Sequence, residues 1–197
     1  MAGHKYSPGK AGHLDSLIRR FVQPPGKALR DIQPSRHEVW ADIGAGSGFY
    51  TIPLAAIVDK VYAMDISTEM LALLQQKLTQ NHISNVDLVH SEETSIPLSN
   101  HSVDGVLLAF VAHELDDPAG YLKEMTRILT PHGRLVIIEF AKVLSFGPPL
   151  HHRLDQQEVD RWANDAGLKK GRTWRWSRSV VGWEYIDGSL SSPKSKQ

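Results

Sequence analysis

Short apolar segments alternate along the chain with longer segments in which apolar residues recur every three or four positions, the spacing of one helix face. The short segments are typical of strands buried on both faces and predict strands at 39–43, 61–65, 86–90, 104–109 and 134–140. Two further strands are predicted near 168–176 and 180–186. This alternation predicts a mostly parallel sheet covered by helices on both faces.

Three helices have predicted ends as well as a predicted apolar face. Ser67 and Asp117 belong to the residue types that cap helix N-termini, and Pro118 stands at the first helical position after Asp117. The third helix is predicted to start at Asp155 and to stop at Gly167. The apolar faces are Met70, Leu71, Leu74 and Leu78; Tyr121, Leu122, Met125, Ile128 and Leu129; and Val159, Trp162, Ala163 and Ala166. Residues 130–133 are predicted to end the second helix.

A glycine-rich turn follows the first predicted strand, at residues 44–48. Gly44 and Gly46 allow backbone conformations that a Cβ would forbid, and they let a ligand approach the main chain closely. A helix expected to begin near Gly48 would offer unpaired N–H groups to that ligand. The dinucleotide fingerprint G-x-G-x-x-G would require glycine where Phe49 stands, so the turn argues against NAD.

The second predicted strand ends in an acidic residue, Asp65, about twenty residues after the glycine-rich turn. A carboxylate at the end of a strand in this position can accept hydrogen bonds from both hydroxyls of a ribose. The sequence therefore predicts a ligand that contains a ribose.

These motifs resemble, in their order and spacing, those of class I S-adenosylmethionine-dependent methyltransferases. The resemblance covers roughly residues 38–140 and rests on 42–48, Asp65, 96–98 and 110–118. Within the family the likeness is to the subgroup that includes the ubiquinone and menaquinone C-methyltransferases, and it extends more loosely to 4–8 and 147–150.

The resemblance implies a Rossmann-like, doubly wound α/β sheet of seven strands, mostly parallel with an antiparallel last strand. It implies S-adenosylmethionine as the cofactor, released as S-adenosylhomocysteine. The cofactor-binding residues that it implies are Asp42, Gly44, Ala45, Gly46, Asp65, Ile66, Met70, Glu92, Glu93 and Phe110. Asp42 would orient the glycine-rich turn or meet the cofactor's ammonium group, and Glu92 would bond the adenine amino group. The alternatives are a purely structural strand-to-helix turn at Gly44 and Gly46, core packing of Met70 and a solvated role for Glu92.

His113 and Glu114 follow the fourth predicted strand, at the sheet edge where open α/β folds bind ligands. An imidazole has an unperturbed pKa of about 6.5 and can accept a proton under neutral conditions. We therefore expect His113 to act as a catalytic base or to position the substrate or the cofactor, with Glu114 and Tyr6 also beside the substrate. A structural role in the loop is the alternative.

The composition of the chain limits the kinds of partner and chemistry that we expect for it. The 197 residues carry 22 basic and 22 acidic side chains, so no net charge draws the chain to nucleic acid or anionic lipid. The absence of cysteine excludes disulfides and thiolate chemistry. We expect no metal site, because the adjacent His151 and His152 have no third ligand at helical spacing. The basic and tryptophan-rich segment 168–178 fits a strand with a charged rim better than a surface for single-stranded nucleic acid.

We expect one methyltransferase domain at 38–187, preceded by a helical lid or cap at 1–37 and followed by a disordered tail at 188–197. Residues 4–25 would form the mobile part of the lid, and a helix packed permanently on the sheet is the alternative. No apolar run approaches membrane-spanning length, so we expect a cytoplasmic protein without stable membrane insertion. The sequence leaves the oligomeric state open.

The predicted function is methyl transfer from S-adenosylmethionine to a small or hydrophobic acceptor, and C-, O-, N- and S-methylation all stay open. In-line alignment of an already activated methyl group supplies most of the acceleration, so no conspicuous catalytic triad is required. Two other classes remain: a non-catalytic protein that binds S-adenosylmethionine and, less favoured, a nucleotide-dependent oxidoreductase.

Overall fold

A computed structural model describes residues 25–92, 95–143 and 148–188 of the chain. Within these ranges the strands are β1 (Val39–Ile43), β2 (Lys60–Asp65), β3 (Val86–His90), β4 (Val103–Ala109), β5 (Leu129–Phe140), β6 (Leu168–Arg175) and β7 (Val180–Asp187). The helices are α1 (Pro25–Ile32), α2 (Thr51–Ala55), α3 (Thr68–Gln80), α4 (Pro118–Ile128) and α5 (Gln156–Asp165). Single 3-10 turns stand at Ala112–Glu114 and Leu150–His152.

The strands form one seven-stranded sheet in the order β3-β2-β1-β4-β5-β7-β6. Strands β1 to β5 are parallel, and β7 runs antiparallel to both of its neighbours, β5 and β6. This arrangement confirms the predicted fold class, including the antiparallel last strand. The chain order reverses between β1 and β4, and open α/β sheets bind ligands in the crevice at such a point.

Helices cover both faces of the sheet. Buried side chains of α1 and α2 pack with Trp40 and Val136 on one face, and α3 packs on the same face over Ala63. On the other face, α4 and α5 pack over Ile137 and Leu108. Because each central strand is buried on both faces, its sequence is nearly continuous in apolar residues.

The three predicted helix caps are confirmed by their hydrogen bonds. Ser67 Oγ accepts from the main-chain N–H of Met70 at 3.2 Å, and Asp117 Oδ1 accepts from that of Gly120 at 2.9 Å. Asp155 Oδ1 accepts from Glu158 N at 3.0 Å, and Gly167 follows the helix with φ of 83°. Local sequence therefore decides where these helices end.

The end of α4 and the starts of β5 and α2 differ from the predictions by more than one residue. Helix α4 ends at Ile128 rather than at residues 130–133, and Leu129 already belongs to β5, where it pairs with Val103. Pro131 disfavours helical geometry in the residue before it, so the chain leaves the helix early. Helix α2 begins at Thr51 rather than near Gly48, because the glycines at 44, 46 and 48 all have positive φ, which a right-handed helix cannot contain.

The predicted lid at 4–25 and the predicted tail at 188–197 lie almost entirely outside the described residues. The described part of the segment 1–37 is α1 with its following loop, and Ala28, Leu29 and Ile32 of α1 are buried against the sheet. Within the described ranges, no helix is both long and apolar enough to cross a membrane.

Candidate active site

The predicted site residues that the structure describes gather at one edge of the sheet, because parallel strands bring their carboxyl ends together. Ile43 of β1 pairs with Met64 of β2 and with Leu108 of β4. The glycine-rich turn therefore begins between the ends of β2 and β4, where Asp65 and the segment around His113 follow.

Asp65 connects the glycine-rich turn to helix α3. Its Oδ2 accepts a hydrogen bond from Gly46 N at 2.7 Å, and its Oδ1 accepts one from Ser67 N at 2.8 Å. Each carboxylate oxygen has a second lone pair, so the group retains capacity for hydroxyl donors. Gly46 itself has φ of 53°, and an added Cβ would meet no heavy atom within 4 Å. The turn thus leaves room for a ligand against its main chain.

A lysine that the sequence analysis did not single out holds the other side of this turn. Lys77, in the last turn of α3, donates from Nζ to the main-chain oxygen of Ser47 at 2.7 Å and to its Oγ at 2.8 Å. The two residues are 30 positions apart, and nothing local marks the contact. Hydrogen bonds therefore hold the turn in place at Gly46, through Asp65, and at Ser47, through Lys77.

Asp42 lies buried beneath the turn, with 2% of its surface exposed. Its Oδ2 accepts a hydrogen bond from Thr51 Oγ1 at 2.6 Å. Burial raises the pKa of Asp42 to about 7, the Thr51 hydrogen bond opposes this rise, and the charge of Asp65 adds to it. A cation close to Asp42 would favour the ionised form.

The described residues that are predicted to surround the adenine are more exposed than Asp42. Ile66 is 46% exposed directly after β2, and Met70 is half-buried in the first turn of α3. Glu92 is exposed just after β3. Glu93 lies outside the described residues. The described members therefore lie on the α3 side of the turn, and their roles stay predictions.

Gly44 and Phe110 connect the turn to the segment that follows β4. An added Cβ on Gly44, which has φ of 70°, would collide with the side chain of Val111. Phe110 also has a positive φ, 60°, and its buried ring packs against that of Phe140 at 4.7 Å between centroids. The two halves of the candidate site are thus in direct contact.

His113 stands in the 3-10 turn after β4, and 11% of its side chain is exposed. Its Nδ1 lies 2.9 Å and 3.0 Å from the two carboxylate oxygens of Glu139, a buried residue near the end of β5. Its Nε2 lies 3.6 Å from Glu114 Oε1. Glu139 was not predicted from the sequence, although an acidic residue within the apolar run 135–140 is a usable signal. Tyr6 lies outside the described residues.

Residues 41–137 match the family described as "Methyltransferase domain". The fold superimposes with a TM-score of 0.86 on the crystal structure of an S-adenosylmethionine-dependent methyltransferase from Aquifex aeolicus, at 31% identity over 93% of this chain and 100% of that one. A putative type 11 methyltransferase from Sulfolobus solfataricus gives a TM-score of 0.73 at 25% identity, over 89% of this chain and 99% of that one. The chain belongs to the S-adenosylmethionine-dependent methyltransferases, as its motifs predict.

Among curated proteins, the chain is similar to a demethylmenaquinone methyltransferase from Bacillus mycoides. The two are 30% identical over 141 residues, which are 70% of this chain and 54% of that protein. The chain thus spans about half the length of the curated relatives it matches.

The described residues fit the cosubstrate of this family. Asp65 offers acceptors for ribose hydroxyls, and Gly46 leaves the main chain open to a close ligand. The buried Asp42 offers a carboxylate whose ionisation a neighbouring positive charge would favour.

Proposed function

We propose that this chain transfers the methyl group of S-adenosylmethionine to a small, uncharged and hydrophobic acceptor that loses a proton in the reaction. The observation that carries the proposal is the position of the His113 imidazole. It follows the strand next to the glycine-rich turn, with Glu139 on its Nδ1. A base at this edge is useful only if the acceptor has a proton to give.

In this proposal the turn and the ends of β1 and β2 hold the cosubstrate. Asp65 accepts from the ribose hydroxyls, the main chain at Gly44, Ala45 and Gly46 lies against the ligand, and Asp42 faces its amino group. Ile66 and Met70 flank the adenine, Glu92 bonds its amino group, and Phe110 closes the side towards β4.

When bound, S-adenosylmethionine supplies an electrophilic methyl group on a positively charged sulfur. His113 accepts the acceptor's proton at Nε2 as the new bond to the methyl carbon forms and the bond from carbon to sulfur breaks. Glu114, on the same turn, lies beside the acceptor. The proton therefore ends on His113, and the sulfur leaves as a neutral thioether.

The acceptor class that we propose is the ring of a reduced quinone. The curated relatives are named for methylation of demethylmenaquinone, a hydrophobic quinone. The zero net charge of the chain and the apolar Phe110 and Val111 beside the turn support an uncharged aromatic acceptor. Methylation of a hydroquinone ring carbon also releases a proton, as the position of His113 requires.

The test is an acceptor screen under anaerobic conditions with release of S-adenosylhomocysteine as the readout. Reduced naphthoquinones and benzoquinones are compared with amines, thiols and carboxylates, with a blank that lacks acceptor. We expect acceptor-dependent release with the reduced quinones. Binding of S-adenosylmethionine without release for any acceptor would instead favour a non-catalytic binding protein.

A further inference from the structure

Glu139 is a buried carboxylate in a strand whose neighbouring residues are apolar. It is 1% exposed, and β5 reads Leu-Val-Ile-Ile before it and Phe after it. Burying an ionised carboxylate is unfavourable unless hydrogen bonds compensate for the lost water. Its two oxygens accept from the main-chain N–H groups of His113 at 3.3 Å and Phe140 at 3.2 Å, and both lie nearer to the imidazole, at 2.9 Å and 3.0 Å from Nδ1.

The main-chain contacts of Glu139 and its contact with the His113 ring make different chemical demands. The two main-chain bonds need only acceptors, and the single oxygen of a glutamine would still provide one of them. The contact with Nδ1 needs more, because an ionised carboxylate can only accept and therefore requires the proton on that nitrogen. A neutral imidazole with its proton on Nδ1 has its basic lone pair on Nε2.

We propose that Glu139 is a positioning residue that keeps the His113 proton on Nδ1, directs Nε2 as the basic atom, and stabilises the imidazolium formed when His113 accepts a proton. The proposal rests on the proposed function of His113 as the base. Among the residues that the structure describes, carboxylates from two elements face the ring: Glu139 from β5 and Glu114 from the same 3-10 turn as His113. The Glu114 side chain is 46% exposed, so solvent screens its effect on the ring more than that of Glu139.

The first test needs no acceptor. The full chain is labelled with 15N-histidine, and the ring signals of His113 are assigned by their loss in His113→Ala. We expect the neutral ring to carry its proton on Nδ1. In Glu139→Gln we expect the midpoint of its titration to move down by about one pH unit or more, because the stabilising negative charge is gone.

Glu184→Gln is the matched control. Glu184 is also a buried carboxylate in the sheet, 3% exposed in β7, but its partner is Arg172 rather than His113. We expect this variant to leave the tautomer and the titration midpoint of His113 unchanged. A neutral His113 with its proton on Nε2 in the wild-type chain would overturn the proposal, whether or not Glu139→Gln folds. A midpoint that does not move in a folded Glu139→Gln protein would also overturn it.

The second test is a double-mutant cycle on turnover with a reduced naphthoquinone. We expect Glu139→Gln to lower kcat by about 10-fold to 100-fold, to leave the Kd of S-adenosylhomocysteine within twofold, and to have no further effect in the His113→Ala background. An equal loss in both backgrounds would assign Glu139 a role independent of His113 and would refute the positioning. If His113→Ala keeps full turnover, the proposed base fails, whereas the tautomer measurement still decides whether Glu139 orients the ring.

Discussion

Asp42 combines a buried carboxylate with a position beneath the glycine-rich turn, where we propose that the cosubstrate binds, so its charge state should depend on that ligand. Its pKa of about 7 means that much of the free protein carries a neutral Asp42 near pH 6.5. If the cationic cosubstrate reaches it, binding lowers that pKa and expels a proton. We predict that S-adenosylmethionine binds more tightly as pH rises from 6 to 8. Calorimetry at pH 6.5 in buffers of different ionisation enthalpy should detect the released proton.

The control is Asp42→Asn, which should show no such proton release and weaker binding. Although Asp42→Asn should weaken binding, it should not lower the stability of the ligand-free protein. The folded pKa lies above the reference value of 3.8, so stability falls as pH rises between these two values and stays at the lower level above about 7. The asparagine variant should therefore resist unfolding at pH 8 at least as well as the wild type. Equal proton release by both proteins would disprove the role of Asp42.

Substitutions at two glycines of the turn should distinguish an effect on folding from an effect on ligand binding. Gly44 has φ of 70°, and an added Cβ would collide with the Val111 side chain, so Gly44→Ala should destabilise the free protein through this collision as well as backbone strain. Gly46 has φ of 53° but open space beside it, so Gly46→Ala should cost only about 1 kcal/mol in stability. We predict that Gly46→Ala nevertheless weakens S-adenosylhomocysteine binding by about tenfold or more, because its methyl group occupies the ligand's side of the turn.

Thermal unfolding and calorimetry of both variants check this prediction. Gly26→Ala, in helix α1, is a suitable control because an added Cβ there also meets no heavy atom within 4 Å. Normal affinity in a folded Gly46→Ala protein would place the ligand away from the turn.

At the scale of elements, Arg172 connects α1 to β6, an edge strand of the sheet. From β6 it donates to both oxygens of the buried Glu184 at 2.8 Å and 2.9 Å and to the carbonyl of Ile32 at the end of α1 at 3.0 Å. We predict that Arg172→Met lowers the free energy of unfolding by roughly 1–3 kcal/mol, because it leaves a buried carboxylate with weaker compensation. Arg175→Met, on the same strand with an exposed side chain, is the control and should change it by less than about 0.5 kcal/mol.

The effect of Arg172 should depend on pH. Burial raises the pKa of Glu184, but the hydrogen bonds and charge of Arg172, together with the charge of Arg134, outweigh this effect, so the pKa is lowered in the folded state. Its ionised form thus stabilises the fold above the reference value of 4.5, and this contribution is lost as pH falls through the folded value. Urea unfolding of wild type and Arg172→Met should therefore differ at pH 7 and converge in acid. A difference that persists unchanged in acid would contradict the assigned pairing.

Elements whose ends are set locally were predictable from the sequence, and contacts between distant residues were not. Ser67, Asp117 and Asp155 cap helices with N–H groups three residues away, which is why their positions could be predicted. The start of β5 depends on pairing with Val103 of β4, which no local pattern reveals.

The same limit applies to the candidate site. The glycine-rich turn and Asp65 could be recognised because strand order places them at one edge of the sheet. Glu139 could not be connected to His113, 26 positions away, because only the parallel pairing of β4 with β5 brings the two together. Tertiary pairing, rather than residue type, creates this part of the site.

At the scale of the whole molecule, ligand binding should stabilise the fold, because the proposed ligand site, at the turn, β2 and α3, exists only in the folded chain. At a concentration 100 times the Kd, a ligand adds about 2.7 kcal/mol to the free energy of unfolding. For a chain of this size we predict that S-adenosylhomocysteine at about 100 times its Kd raises Tm by about 5–10 °C. NAD at the same concentration should leave Tm unchanged, since Phe49 replaces the third glycine of the dinucleotide turn.

Two aspartate variants make this measurement specific. Asp65→Ala removes both the proposed ribose acceptor and the partner of Gly46 N, so most of the Tm increase should disappear. Asp87→Ala removes a carboxylate whose side chain is 52% exposed and which pairs with Lys60 on the surface, so the full increase should remain. A comparable shift with NAD would favour the oxidoreductase alternative, and an undiminished shift in Asp65→Ala would remove Asp65 from the ligand site. Because both variants are tested in the same folded chain, a loss confined to Asp65→Ala locates the ligand at the end of β2 rather than on the protein surface in general.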